Sequence, residues 1–304
     1  MQIKTFGQAI FGRSIVKPTT KNPHKKQGGD VPKAKKLQER MADRKQWPRP
    51  INQLKTQPHF LFLVTPPNSG STAMAKLLNS SQRTTLLHDN GEAQWLVPGL
   101  CRKNRWNPDL KVNYASVKAV WLKQFQYLRD CVGDCDVVIE KSPANMIRLD
   151  KLIGLFDNVS IVASNRNPYA NISSKGHRYG NFAERSAAER EETVEKLAEQ
   201  WQLQSQTIAD IVDRHKCPLV TYEDFCVDPG TLIKVLSLPE GVVDTMDIST
   251  NVLVKDYGDQ KIRNQNARQI DLLSTAEKAR IQAVLATKPE LLARFGYALE
   301  ADKA

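Results

Sequence analysis

Long apolar runs are missing from this 304-residue sequence. No stretch approaches the roughly 18 apolar residues of a membrane span. The opening MQIKTFGQAIFGRSIVK is too broken by polar residues to supply the apolar core, roughly 7–15 residues long, of a secretory leader. Both absences predict a cytoplasmic protein. Cysteine is also scarce. Cys101, Cys131, Cys135, Cys217 and Cys226 are odd in number, and their one C-x3-C pair has no second pair to complete a zinc site. Reduced thiols and no metal are expected. Acidic residues are nearly absent from residues 1–55, where Asp30, Glu39 and Asp43 face 14 Lys and Arg. That segment carries a formal charge of +11, whereas residues 56–304 hold 30 bases and 30 acids.

Residues 1–55 are rich in Lys, Pro, Gly and Gln and lack apolar periodicity, so the sequence predicts a basic, disordered tail there. Its charge suits an acidic partner, an anionic surface or nucleic acid, or simply keeps the chain soluble. Residues 56–304 read as one domain. Four β-rich apolar runs, HFLFLVT (59–65), DVVIEKS (136–142), NVSIVASNR (158–166) and PLVTYED (218–224), are separated by other segments. Helical patterns at 112–130 and 184–215 carry Trp121 and Trp201 on their apolar faces, as core residues. This order predicts an α/β fold of three layers, α/β/α, around a central, mostly parallel sheet. Ligands of such sheets collect at the carboxyl ends of the strands, where each of these runs turns polar.

The first run leads through Pro66, Pro67 and Asn68 into Ser69, Gly70, Ser71 and Thr72 at a helix start. Unpaired amides, the positive end of the helix dipole and the hydroxyls together form an anion cradle. Simple capping by Ser69 is the plainer alternative. The glycine–lysine pair of a nucleoside-triphosphatase loop is absent, which argues against ATP or GTP hydrolysis and leaves a P-loop nucleotide kinase as a rival reading. The third run ends in RNPYANISS (166–174), where Arg166 and a helix-start Ser174 suit a second phosphate.

These paired motifs resemble the sulfotransferases that use 3′-phosphoadenosine-5′-phosphosulfate (PAPS), where an S-G-[TS]-T loop holds the 5′-phosphosulfate and R-[ND]-P-x5-S the 3′-phosphate. EKSPANMIRLDKLIGLF (140–156), VTYEDFCVDP (220–229) and LLARFGY (291–297) are similar to further family segments, so the resemblance spans most of residues 59–297. It implies a P-loop-like fold and transfer of a sulfuryl group from PAPS to a hydroxyl of a glycan, lipid or peptide tyrosine. The product of the donor is 3′,5′-ADP, and no metal is required. Ser69, Gly70, Ser71 and Thr72 are the implied 5′-phosphosulfate contacts, and Arg166 and Ser174 the 3′-phosphate contacts. Tyr222 is placed beside the adenine, and Lys261 and Arg263 of DQKIRNQNAR on a closing loop.

Lys141 is the implied source of positive charge for transfer. Small-molecule members carry a base His two residues after that Lys, whereas this chain reads Lys141-Ser142-Pro143. LLHDNGEAQWLVPGL (86–100) resembles the G-E element of protein-tyrosine and carbohydrate sulfotransferases, making Glu92 the expected base and His88 or His177 the reserve. Ala93 stands where the tyrosine enzymes have a second glutamate. Asn68 stands where the family usually has Lys or Arg, and it offers a hydrogen bond without a full charge. Lys141, Lys175 or Arg178 would compensate, or the chain is a weak or inactive relative that binds the nucleotide.

Overall fold

In the computed structural model, which describes residues 57–101, 105–254 and 258–299, the first strand, β1 (His59–Val64), is apolar at every position but its first. Alternate residues of a strand face opposite ways, and here both faces are covered. Phe60, Phe62 and Val64 enter one apolar cluster, and Leu61 and Leu63 another. A strand sandwiched in this way reads as a continuous apolar run rather than an alternating one.

The chain continues through α1 (Ser71–Leu78), β2 (Thr84–Leu86), α2 (Tyr114–Val132) and β3 (Val137–Glu140). A 3-10 turn at Pro143–Arg148 leads to α3 (Leu149–Ile153), then β4 (Val159–Ala163), α4 (Pro168–Tyr179) and the long α5 (Ala187–His215). Two short helices, α6 (Tyr222–Val227) and α7 (Gly230–Lys234), precede an antiparallel pair, β5 (Val252–Val254) and β6 (Gly258–Gln260). The helices α8 (Asn266–Ile270), α9 (Thr275–Leu285) and α10 (Pro289–Arg294) follow. The main sheet has the order β2-β3-β1-β4 and is parallel throughout, with Leu61 opposite both Ile139 and Ser160. This is the expected three-layer α/β/α arrangement.

Two clusters flank the sheet. On one face Phe60 lies 3.7 Å from Phe156 and 6.1 Å from Trp121, ring centre to ring centre. On the other, Met74, Leu77 and Leu78 of α1 pack with Leu61, Leu63 and Phe225. Full burial of such side chains is worth roughly 1.5–3 kcal/mol each. A third cluster joins α4, α5 and α9 around Trp201, which like Trp121 is fully buried, as the sequence predicts. A capping box opens α5: the Ser186 side chain accepts from Glu189 N while the Glu189 carboxylate accepts from Ser186 N. Among the described residues no helix is long and apolar enough to cross a membrane.

One expectation about strands is corrected, and one short strand is added. The run at 218–224 yields only an isolated parallel bridge, Ala163 with Leu219, and Tyr222 already opens α6. Thr221 caps that helix by accepting from Asp224 N at 3.1 Å, which takes the backbone out of the sheet. The edge strand β2, only three residues long, occupies the sheet position beside β3. The basic tail at 1–55 lies outside the described residues.

Parallel pairing sets the location of the site. Because β1 lies between β3 and β4, its outgoing loop at 65–70 sits between Lys141, which follows β3, and Arg166, which follows β4.

Candidate active site

The loop after β1 reverses direction by placing two residues in the left-handed region, Asn68 (φ 63°) and Gly70 (φ 79°). Asparagine tolerates that region better than most residues, which gives a local reason for Asn at position 68. At Gly70 a side chain is excluded twice over: a β-carbon there would lie 2.4 Å from Tyr222 Cδ2. Tyr222 therefore packs directly under the backbone that opens α1. The Gly70 carbonyl accepts from Ala73 N and Met74 N, and amides earlier in a helix have no intrahelical partner.

A cleft of about 440 Å³ opens above this helix start. Gly70, Ser71 and Thr72 line it together with Lys141, Arg166, Ser174, Tyr222, Lys261 and Arg263. Its lining holds seven Lys and Arg side chains against one carboxylate, that of Glu92. Such an imbalance focuses positive potential on a concave surface and favours a multiply charged anion.

Arg166 is held rigidly. Its Nε donates to Asn266 Oδ1 at 2.8 Å, its Nη1 to the Asn68 carbonyl at 2.8 Å, and its guanidinium carbon lies 4.3 Å from the Tyr222 ring centre. Asn266 in turn donates to Glu223 Oε1, and Glu223 Oε2 accepts from the Tyr297 hydroxyl at 2.9 Å. The segments VTYEDFCVDP and LLARFGY thus meet behind Arg166 and brace it. Two donors remain: Arg166 Nη2 and Asn68 Nδ2 are buried without a partner. Unpaired buried donors are costly, and an anionic ligand in the cleft offers them acceptors. The residues present therefore fit an anionic group, such as a phosphate, beside Asn68 and Arg166.

Lys141 occupies the opposite side. Its ammonium, almost fully buried, lies 3.3 Å from Thr72 Oγ1 and 3.3 Å from Glu92 Oε1. Its backbone N–H donates to the Gly91 carbonyl at 3.0 Å, and a β-carbon at Gly91 (φ 77°) would lie 2.9 Å from Lys141 Cγ. Glu92 Oε2 accepts from the Trp95 indole at 2.9 Å and from Arg105 at 3.4 Å. Burial pushes the Glu92 carboxyl up, but Lys141, the Trp95 indole and Arg105 outweigh it and hold the group below the usual carboxylate range.

Other expected residues sit differently. The Ser69 hydroxyl is buried and accepts from Asn171 Nδ2 at 3.0 Å, and Ser69 does not line the cleft. Ser174 lines the cleft from the middle of α4, not from its start. His88 is tied to Asn90 Oδ1 at 2.8 Å and does not line the cleft, whereas His177 does. The fully buried Lys175 points to Gln204 Oε1 at 3.0 Å in the α4–α5 interface, where burial pushes its pKa down to about 7. Arg178 lines the cleft. The sequence reading missed Arg105, Trp95, Glu140 and Asn266. The last two carried a signal, an acid directly before Lys141 and an Asn inside the basic DQKIRNQNAR stretch.

No curated protein gives a significant sequence match. Among solved structures, the chain is similar to the sulfotransferase STF9 from Mycobacterium avium, with 12% identity, a TM-score of 0.51, and coverage of 87% of this chain and 82% of that one. It is also similar to a sulfotransferase from Alicyclobacillus acidocaldarius, with 14% identity, a TM-score of 0.49, and coverage of 82% and 100%. At such identities the first likeness speaks for the fold alone. The sequence itself matches the profile of the Sulfotransferase family over residues 58–236, a span that contains the helix-start cradle, Glu92, Lys141 and Arg166. With that match over more than half of its length, the chain belongs to the sulfotransferase family.

Proposed function

We propose that this sulfotransferase moves a sulfuryl group from PAPS to a hydroxyl of a glycan, lipid or peptide tyrosine by in-line displacement, with Glu92 as base. The observation that carries this reading is the Lys141 ammonium, 3.3 Å from both the Thr72 hydroxyl of the cradle and the Glu92 carboxylate. One cation thereby joins the anion site to the one acid of the cleft.

The donor supplies an activated sulfuryl group. Residues 68–72 bind its 5′ end through backbone amides and hydroxyls, Arg166 and Ser174 bind the 3′-phosphate, and Tyr222 flanks the adenine. Lys261 and Arg263 add charge at the mouth. Lys141 neutralises the non-reacting sulfuryl oxygens, the task for which Asn68 lacks a charge. Glu92 takes the acceptor proton as the acceptor oxygen bonds to sulfur and the bond from sulfur to the 5′-phosphate oxygen breaks, releasing 3′,5′-ADP. The Lys141 ion pair keeps Glu92 ionised before reaction. As Lys141 turns to the sulfuryl oxygens, the carboxylate loses that counter-charge and becomes a stronger base.

Thermal-shift titration tests the donor site: 3′,5′-ADP is expected to stabilise the protein and ADP to do so far less. The reverse order would point to the nucleotide-kinase reading. Incubation with radiolabelled PAPS and a panel of glycans, lipids and tyrosine peptides then identifies the acceptor class. Strong 3′,5′-ADP binding with no acceptor labelled would instead support a nucleotide-binding relative without transferase activity.

A further inference from the structure

Glu140, the last residue of β3, is fully buried, yet each of its carboxylate oxygens receives N–H donors. Oε2 accepts from Ala93 N at 2.8 Å. Oε1 accepts from Ser142 N at 2.8 Å and from Asn145 Nδ2 at 2.9 Å. Ala93 directly follows Glu92, and Ser142 directly follows Lys141. Lys141 N also donates to the Gly91 carbonyl at 3.0 Å, so residues 91 and 93 are tied to 141 and 140 by two bonds on either side of Glu92. The Trp121 indole fixes the same loop from the core side by donating to the Ala93 carbonyl at 3.1 Å.

Burying a carboxyl is costly, and only its hydrogen bonds offset the cost. Burial raises the Glu140 pKa to about 7 against the downward pull of the Ser142 and Ala93 donors. An apolar side chain at the end of a buried strand would avoid that cost altogether. What a carboxylate adds is geometry: its two oxygens accept from three donors, two of them next to the residues read above as base and cation.

We propose that Glu140 is a positioning residue that fixes the Glu92 carboxylate against the Lys141 ammonium by clamping the backbones that carry them. This rests on the catalytic reading of Glu92 and Lys141. A glutamine has one acceptor oxygen and turns an N–H group toward one of the clamped donors, so Glu140→Gln opens one end of the clamp. An aspartate keeps both oxygens but reaches less far, and closes the clamp in part.

The Trp95 indole, which donates to Glu92 Oε2 at 2.9 Å, reports the placement of that carboxylate without any acceptor substrate. In the 15N-labelled full chain, its indole signal is identified by loss in Trp95→Phe, and its position without the Glu92 carboxylate by Glu92→Gln. In Glu140→Gln the signal is expected to move most of the way to the Glu92→Gln position, and in Glu140→Asp to return part of the way. Transfer from radiolabelled PAPS to the labelled acceptor, or to water where none is labelled, is expected to fall about 100-fold while 3′,5′-ADP affinity changes less than about threefold. An indole signal unmoved in folded Glu140→Gln overturns the proposal. Should that variant not fold, the wild-type chain decides. Slow hydrogen exchange at Ala93 N and Ser142 N is expected from the clamp, and exchange at the rate of exposed loop amides overturns it. The catalytic reading fails separately, if Glu92→Gln or Lys141→Ala leaves transfer intact whatever the indole signal does.

Discussion

Position 70 shows how little freedom the cradle allows. Gly70 combines a left-handed φ of 79° with a β-carbon position 2.4 Å from Tyr222 Cδ2, so Gly70→Ala must either displace the ring or unwind the start of α1. Tyr222 also supports the Arg166 guanidinium, and the displacement carries over to the proposed 3′-phosphate site. Gly70→Ala is expected to weaken 3′,5′-ADP binding at least tenfold and to lower the melting temperature, both measurable in one thermal-shift series. Arg166→Ala removes charged hydrogen bonds worth roughly 1.5–3 kcal/mol each, and a loss of 3′,5′-ADP affinity of about 10- to 100-fold is expected by calorimetry, with the fold preserved. Unchanged affinity in Arg166→Ala would sink the assignment of the 3′-phosphate site. Asn68→Lys tests the departure from the family pattern. It adds the missing charge but places a lysine at φ 63°, a strain on the order of 1–2 kcal/mol. Faster sulfuryl transfer together with a lower melting temperature is the expected pair of outcomes, read by radiolabel transfer and by melting.

Among the elements, α4 carries both cleft-lining residues and a liability. Its N-terminus is capped by Asn167, whose side chain accepts from Ala170 N, and Arg166 sits just ahead of that cap. Its buried side holds Lys175 against Gln204 of α5. Burial lowers the Lys175 pKa from 10.5 to about 7, so between those values the unfolded chain binds a proton that the folded chain does not. Stability therefore rises as pH increases from about 7 towards 10.5 and is lowest below about 7, where the buried ammonium is charged. Lys175→Met removes the penalty: it is expected to stabilise the protein near pH 7 by roughly 2–4 kcal/mol and to flatten that rise. Denaturant melts at several pH values check the slope, and an unchanged slope would mean that Lys175 reaches solvent in the folded state. Legibility at this scale followed the length of the signal. β1, β3 and β4 are predominantly apolar runs, and the segments that follow all three supply residues lining the cleft. β2 is three residues long, too short to show a pattern. The run at 218–224 reads as a strand by composition, yet Thr221 and Asp224 form the T-x-x-D of a helix cap, a local signal stronger than the apolar run before it. The clamp by Glu140 was illegible for another reason: its partners are one backbone amide 47 residues away, one two residues away and the Asn145 side chain, and a sequence does not display which amides a fold leaves in need of acceptors.

For the whole molecule, two charge distributions are superposed. The formal excess of +11 lies entirely in residues 1–55, while residues 56–304 are balanced. The cleft is nevertheless lined by seven basic side chains and one acidic one, so its positive character is a local property of how the fold gathers strand ends, α4, α8 and the loops between elements. A screened interaction decays within about 8 Å at physiological ionic strength, and charges beyond that range add little to the energy of a bound nucleotide. The two distributions are expected to act separately. Deleting residues 1–55 should leave the equilibrium affinity for 3′,5′-ADP within about twofold and its dependence on salt unaltered, because the cations that set both remain. Binding to polyanions such as heparin or duplex DNA should weaken sharply in the same deletion, since the neutral remainder offers only the cleft. Titration of full-length and shortened chains at two salt concentrations distinguishes the cases. A loss of 3′,5′-ADP affinity on deletion would place part of the tail in the donor site, and polyanion binding that survives it would assign that activity to the cleft face.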